Sequence, residues 1–259
     1  MDKIKAKKKF GQNFLKDEHI KKAIVEAANI TNNEQIIEIG PGTGAITKLI
    51  LQKGAKLIAY EIDSDLIEKL QEKFKSDNFK LINKDVLKCN FPNHEFKVIA
   101  NIPYYITSDI LFKLFDSYKN INLAIIMMQK EVADRLIAKE NSASYSKLSM
   151  VNNLYCETIK LFDVTNSAFD PAPKVTSSVV KMIFRKSVEQ NHLQIRNFIA
   201  NCFRFRRKFL IKNLENTYSK QSILNALSLL NLAQNVRAQE LELQQIIKLM
   251  NILEREKND

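Results

Sequence analysis

Only five glycines occur in 259 residues, and three of them stand at positions 40, 42 and 44. They separate a short apolar run over residues 35–39, which reads as a strand, from residues 43–53, whose apolar spacing is helical. Glycine reaches backbone conformations that other residues avoid, so a chain this sparing of it has concentrated it where unusual geometry is needed. Without Cβ atoms the backbone can approach a ligand, and the helix that follows presents unpaired N–H groups at its start. Proline is used in the same way. Four of the five prolines, Pro41, Pro103, Pro171 and Pro173, fall within the motifs described below.

The strand–turn–helix unit is the first of a series. Residues 56–62 predict a second strand, and residues 64–74 a helix with Leu66, Ile67, Leu70 and Phe74 on one face. A third strand is expected over 79–83, ending before Asp85, a fourth over 96–100 and a fifth over 122–128. Ser108 reads as the N-cap of a helix running through Phe115, and residues 130–138 are helical in pattern. Such alternation predicts an α/β fold with a parallel, doubly wound sheet. The rhythm then changes. Residues 151–162 and 177–184 predict two strands with no obvious helix between them, suited to an antiparallel edge pair. After Lys186 the strand signal ends, and residues 193–203, 209–218, 223–230 and 237–253 predict four helices. A domain boundary is expected near 186, dividing 1–186 from 187–259.

Bulk properties narrow the partners. The formal net charge is +11 and the pI is near 9.4, which favours a polyanion, because lysine and arginine neutralise phosphates and release counterions. The charge is clustered, in Lys3, Lys5, Lys7, Lys8 and Lys9 at the start and in Arg204, Arg206, Arg207 and Lys208 later. Residues 1–10 are expected to form a basic flexible arm. Cys89, Cys156 and Cys202 are odd in number and widely spaced, and no Cys-x-x-Cys or His-x-x-x-His pattern occurs. A disulfide framework is therefore not expected, nor is a metal site; buried thiols in a cytoplasmic protein are. No apolar run approaches the ~18–20 residues of a membrane span, and the lysine-rich start does not read as a secretory signal.

The glycine turn alone leaves the cofactor open. Gly40-x-Gly42-x-x-Ala45 satisfies the dinucleotide fingerprint. Glu61, ending the second strand, can accept both hydroxyls of a ribose, which suits NAD as well as S-adenosylmethionine (SAM). Two features separate them. Asp85, after the third strand, can accept an adenine amine. The fourth strand runs into Asn101-Ile102-Pro103-Tyr104, which has no evident role in hydride transfer. Together these motifs resemble the SAM-dependent adenine-N6 methyltransferases.

The residue types in the tetrapeptide suit that chemistry. The N6 lone pair of adenine is delocalised into the ring and is a weak nucleophile. Acceptors on its two hydrogens, the Asn101 side-chain oxygen and the Ile102 carbonyl, draw the nitrogen toward tetrahedral geometry. Pro103 has a fixed φ and restricts Ile102 before it. Tyr104 can stack on the base, worth ~1–3 kcal/mol. No metal and no covalent intermediate is required, because positioning supplies much of the barrier reduction.

Further motifs narrow the resemblance. Gly11-Gln12-Asn13-Phe14-Leu15, Met128-Gln129-Lys130-Glu131-Val132-Ala133, Phe169-x-Pro171-x-Pro173-Lys174-Val175 and Phe205-Arg206-Arg207-Lys208 are similar to the small-subunit (16S) ribosomal RNA adenine N6,N6-dimethyltransferases. That resemblance implies a Rossmann-like SAM methyltransferase domain with an antiparallel last strand, followed by a small all-α domain that binds RNA. It implies dimethylation of two adjacent adenosines in the 3′-terminal hairpin loop of 16S rRNA, with a role in small-subunit biogenesis. By the same resemblance Asn13, Leu15, Gly40 and Gly42 border the cofactor, Glu61 holds its ribose and Asp85 its adenine. Asn101 touches both cofactor and target, and Tyr104 and Phe169 sandwich the target base, Phe169 from a rigid exposed loop. Arg204, Arg206, Arg207 and Lys208 are expected to bind RNA, on a segment anchored to a core by Phe203, Phe205 and Phe209. The expected protein is a cytoplasmic monomer. Tyr105 departs from the asparagine common in the family. The nearest rival is a large-subunit rRNA dimethyltransferase of the macrolide-resistance type, which shares the tetrapeptide. A DNA adenine methyltransferase lacks support, as no recognition insertion is seen, and a non-catalytic assembly factor would not need Glu61 and Asn101 intact.

Overall fold

The computed structural model describes residues 6, 7 and 10–258. The other lysines of the basic start, at 3, 5, 8 and 9, lie outside the described residues. The chain divides into two compact units, residues up to 133 together with 156–186, and residues 134–155 together with 187 onward.

The first unit is built on a seven-stranded sheet. Its strands are β2 (Gln35–Ile39), β3 (Lys56–Glu61), β4 (Phe79–Asn83), β5 (Phe96–Asn101), β6 (Ile121–Gln129), β7 (Cys156–Val164) and β9 (Ser177–Phe184). The spatial order is β4-β3-β2-β5-β6-β9-β7. Strands β4 through β6 pair in parallel, whereas β9 is antiparallel to both β6 and β7. The fold is therefore α/β and Rossmann-like, with the expected antiparallel last strand. Parallel strands covered on both faces read as continuous apolar runs, and Leu123–Met128 in β6 is buried throughout. The helices are α2 (Ala45–Gln52), α3 (Ser64–Lys73), α4 (Thr107–Asp116) and α5 (Lys130–Leu136). In sequence β2 leads to β3 on one side and later to β5 on the other, so the strand order reverses at the β2/β5 boundary. Ligands in such sheets bind at the carboxyl ends of the strands flanking that reversal. Register pairs Ile39 with Ala100, and so sets Gly40 beside Asn101.

Two elements escaped the sequence reading. Helix α1 (Glu18–Ala27) is N-capped by Asp17, whose carboxylate accepts from the N–H groups of His19 and Ile20. A small antiparallel pair joins β1 (Phe14–Leu15) to β8 (Phe169–Asp170). That pair corrects the expectation for Phe169. The residue does not stand on an exposed loop as a base platform; it is 2% exposed and packs in the core with Leu15, Ile24 and Val179. An apolar ring facing a sheet edge gains more by burial than by waiting in water for a ligand.

Two further local expectations need correction. Ser108 is not a cap, because α4 begins at Thr107 directly after a single 3-10 turn over Tyr104–Ile106. The Thr107 hydroxyl folds back on the carbonyls of Pro103 and Tyr104 at 3.3 and 3.2 Å, locking the turn. Residues 151–155 are not strand; they end helix α6 (Lys147–Tyr155), which passes directly into β7. Nearly all of α6 is buried, so it lacks the polar stripe that betrays a helix in sequence. Its polar residues bond backbone, Ser149 to the Arg135 carbonyl at 2.6 Å and Asn152 to that of Leu136 at 3.4 Å.

The second unit is helical throughout its described residues, with α6, α7 (His192–Cys202), α8 (Leu210–Leu214), α9 (Lys220–Leu229) and α10 (Leu243–Asn258). It includes residues 134–155, which the boundary at 186 had left in the first domain. Helices expected over 209–218 and 237–253 are shorter or later than their patterns, as α8 stops at Leu214 and a 3-10 turn precedes α10. All three cysteines are buried, and burial pushes the Cys156 thiol up to about 12. Among the described residues no helix is long and apolar enough to cross a membrane.

Removal of a fully buried ring leaves a cavity, so Phe169→Ala is expected to lower stability by about 3–5 kcal/mol. Urea denaturation measures this directly. A ring waiting for a base would instead leave the unfolding midpoint unchanged.

Candidate active site

One cavity at the carboxyl ends of β2, β3, β4 and β5 is lined by Asn13, Leu15, Gly40, Gly42, Glu61 and Asp85 together with Asn101, Ile102, Pro103 and Tyr104. The strand-end residues among them are brought together by the switch-point topology, and Asn13 and Leu15 join them through the β1–β8 pair. Phe169 does not line the cavity, and the Arg204–Lys208 segment belongs to the other unit.

The glycine turn forms one wall. Gly40, Gly42 and Gly44 all have positive φ, at 70°, 58° and 76°. At Gly42 the absent Cβ makes room for the Phe14 ring, which would lie only 3.2 Å from it. Glu61 faces this turn. One carboxylate oxygen accepts from the Gly42 N–H at 3.2 Å, the other from the Asp63 N–H at 2.9 Å. The group is buried. Burial raises its pKa, against the opposing pull of the Asp63, Gly42 and Ile62 backbone donors. Each oxygen keeps lone-pair capacity beyond these bonds, which fits a ligand that donates two adjacent hydroxyls. Ile62, beside it and 45% exposed, offers an apolar face to a flat ring. The sequence reading missed Ile62; its signal was an apolar residue directly after a strand-end carboxylate. Asp85 caps the 3-10 turn Val86–Lys88 through the Leu87 N–H at 3.0 Å, and its carboxylate edge lines the cavity. A diol-binding acid, a neighbouring apolar face and a second acid suit an adenosine moiety, and hence SAM.

The opposite wall is the tetrapeptide. Asn101 ends β5, and its amide nitrogen donates to the Asn13 carbonyl at 3.4 Å. This leaves the amide oxygen as the group available to accept. Ile102 is buried and its N–H bonds the Met127 carbonyl at 3.1 Å, so its peptide is pinned to β6. Pro103 holds φ at −57°. The Tyr104 hydroxyl is tied to that of Ser177 at 2.7 Å. Burial raises the phenol's pKa while the Ser177 bond lowers it. Ser177, buried at the start of β9, thus sets the angle of the Tyr104 ring and was not foreseen. Tyr105 is 60% exposed and covers Gly11, whose missing Cβ would meet it at 3.3 Å.

Glu38 also lines the cavity. It is 2% exposed, and its sole recorded side-chain partner is the Thr47 hydroxyl, which donates at 2.6 Å. Burial pushes its carboxyl up to about 8, with Glu61 adding repulsion and the Thr47 bond opposing. Glu38 is therefore mostly neutral at pH 7, an O–H donor facing a carboxylate-rich wall.

In the second unit the turn before α8 carries the basic run. Buried Asn213 clamps the backbone of Phe205, accepting from its N–H at 2.8 Å and donating to its carbonyl at 3.3 Å. The expectation that Phe205 and Phe209 are core anchors is overturned: they are 51% and 44% exposed. Arg204 lies over the Phe205 ring and Arg237 over that of Phe209, at 5.4 and 5.6 Å from the centroids. Arg206 donates to the Ala143 carbonyl.

A largely parallel sheet with a reversed strand order, and a cavity at its strand ends where a glycine turn faces a buried acid, are the architecture of a SAM-dependent methyltransferase. The sequence profile of the family Ribosomal RNA adenine dimethylase matches residues 3–255, and the chain belongs to that family. It is a SAM-dependent rRNA adenine methyltransferase. Ribosomal RNA small subunit methyltransferase A of Mycoplasmopsis synoviae is 44% identical over 253 residues, covering 96% of this chain and 97% of that protein. Its namesake in Metamycoplasma arthritidis is 44% identical over 255 residues and 98% of each chain. A solved dimethyladenosine transferase from Plasmodium falciparum superposes with a TM-score of 0.85 at 29% identity, covering 94% of this chain and 98% of that one. The 23S rRNA methyltransferase ErmE shares the fold, with a TM-score of 0.73, 24% identity and coverage of 93% and 100%.

The state of Glu38 makes stability depend on pH. Below the ordinary carboxyl value of 4.5 both folded and unfolded chains hold the proton. Between there and about 8 the unfolded chain releases it while the folded protein keeps it, so stability falls as pH rises through this window. Glu38→Gln retains the Thr47 bond without the ionisation, and is expected to be more stable than the parent at alkaline pH by about 5 kcal/mol at most. Urea denaturation of both proteins on either side of the window tests this; parallel pH profiles would refute it.

Proposed function

We propose that the protein transfers methyl groups from SAM to the N6 amines of two adjacent adenosines in the 3′-terminal hairpin loop of 16S rRNA, giving N6,N6-dimethyladenosine at each, during small-subunit biogenesis. The observation that carries this reading is the orientation of Asn101. Its amide nitrogen is spent on the Asn13 carbonyl, and its oxygen can accept a hydrogen from an adenine amine. SAM supplies an electrophilic methyl group on a sulfonium when bound. The Asn101 oxygen and Ile102 carbonyl accept the N6 hydrogens, withdraw the lone pair from the ring and aim it. Tyr104, held by Ser177, stacks on the base. Asn13, Leu15, Gly40 and Gly42 border SAM, Glu61 binds its ribose and Asp85 its adenine amine. Relatives at 41–44% identity are small-subunit enzymes by name, which favours 16S over 23S rRNA. The protein acts in the cytoplasm as a monomer.

The second unit supplies the RNA contact. Arg204, Arg206, Arg207 and Lys208 neutralise phosphates, and the exposed Phe205 and Phe209 beside them accept unstacked bases.

Incubation of undermethylated small subunits with the enzyme and SAM, followed by mass spectrometry of the RNA, is expected to show dimethyladenosine at two neighbouring positions. Equal labelling of duplex DNA would overturn the substrate. Asn101→Ala is expected to slow transfer at least about 100-fold while RNA binding survives; retained turnover would remove Asn101 from the reaction.

Replacing Arg206 and Arg207 by glutamine is expected to reduce the slope of log affinity for RNA against log salt by about 1–2. An unchanged slope would mean that neither side chain meets a phosphate.

A further inference from the structure

Asp63 belongs to none of the motifs above, yet three separate parts of the site meet at its carboxylate. The side chain is 3% exposed. One oxygen accepts from the Lys7 ammonium at 2.6 Å and from the Asp65 N–H at 3.2 Å, capping α3. The other accepts from the Gln12 side-chain amide at 2.8 Å. Burial would raise its pKa, but Lys7 and Gln12 outweigh burial and hold the carboxyl below its usual range. Its own N–H bonds Glu61. Lys7 and the strap over residues 10–14 are also tied to one another. Gln12 accepts from the Lys7 N–H at 2.8 Å, and the Asn13 side chain donates to the Gly11 carbonyl at 3.2 Å. Lys7 also pairs with Asp65 at 2.6 Å. At this residue, therefore, the expected free arm is a docked one.

We propose that Asp63 is a positioning residue: through Lys7 and Gln12 it anchors residues 10–14 beside the cavity so that the Asn13 carbonyl holds the Asn101 amide with its oxygen turned toward the target amine. A carboxamide has two faces of similar shape and opposite hydrogen-bonding character. Turned the other way, Asn101 would point N–H donors at an amine that itself carries hydrogens. A single fixed carbonyl on the nitrogen side removes that state, because the flipped form would set oxygen against oxygen. The same strap lays the Phe14 ring on Gly42, so the anchor ties the catalytic asparagine to the ribose-facing turn.

This inference rests on the role assigned to Asn101, and the two can fail separately. Lys7→Met and Gln12→Ala remove one donor each without touching the reacting atoms. Each is expected to weaken S-adenosylhomocysteine binding about ten-fold in calorimetry, and to slow single-turnover methyl transfer about 10–100-fold even at saturating SAM. Thermal midpoint and RNA affinity should stay near the parent values, and Lys7→Arg should recover both losses. Gln12→Glu, which sets a second carboxylate against Asp63 while keeping side-chain size, should behave like Gln12→Ala and covers the case in which Lys7→Met folds poorly. Parent transfer rates at saturating SAM in both strap variants would overturn the proposal. If Asn101→Ala stayed active while the strap variants still lost cofactor affinity, the role of Asn101 would fall and the anchor would stand as a cofactor strap alone.

Discussion

The parallel pairing of β2 with β5, in the register that sets Ile39 against Ala100, is the constraint on which the site depends. It places the glycine turn and Asn101 at adjacent strand ends, on one cavity. A slip of one residue would turn the side chains of β5 to the opposite face. The burial of Val98, Ile99 and Ala100 guards against that, since the register is fixed wherever both faces must be covered. The chemistry of the pocket thus rests on hydrophobic packing several ångströms below it.

Three carboxylates at the rim show how one environment yields three electrostatic outcomes. Glu38 is supported only by the hydroxyl and backbone of Thr47, and burial pushes its carboxyl up to about 8. Glu61 is supported by backbone N–H groups and remains the acceptor for hydroxyl donors. Asp63 receives a lysine and is spent on architecture. Burial pushes all three carboxyls up and the donors oppose it; only at Asp63 do the donors prevail.

Much of this was legible before the structure. Strands β2 to β6 and helices α2 and α3 follow from apolar periodicity, with ends displaced by a residue or two. Glu61, Asp85 and Asn101 followed from their places at strand ends, because topology converges those ends on one cavity. What was missed has a common cause. Helix α6 is buried nearly all round and shows no stripe. Phe169 was read as exposed from its flanking prolines, but its environment is set by Leu15, far away in sequence. Phe205 and Phe209 were read as core from their apolarity, although a buried asparagine clamps the turn and leaves both rings in solvent. Lys7 looked like one more lysine in a run; its partner Asp63 lies three strands on, after β3. Local pattern reports the period of an element, and it does not report which distant side chain will claim a residue.

The pairing of β1 with β8 has a consequence for the way the protein is made. Phe14 and Leu15 leave the ribosome early, but their partners, Asp170 and Phe169, are among the last residues of the first unit to be synthesised. Until then the N-terminal segment has no ladder to join, and the wall of the cavity formed by Asn13 and Phe14 lacks its backing. A nascent chain with five parallel strands in place is still not a competent binding site. Synthesis order therefore makes acquisition of the methyl donor a late event, after the sheet has received its antiparallel edge.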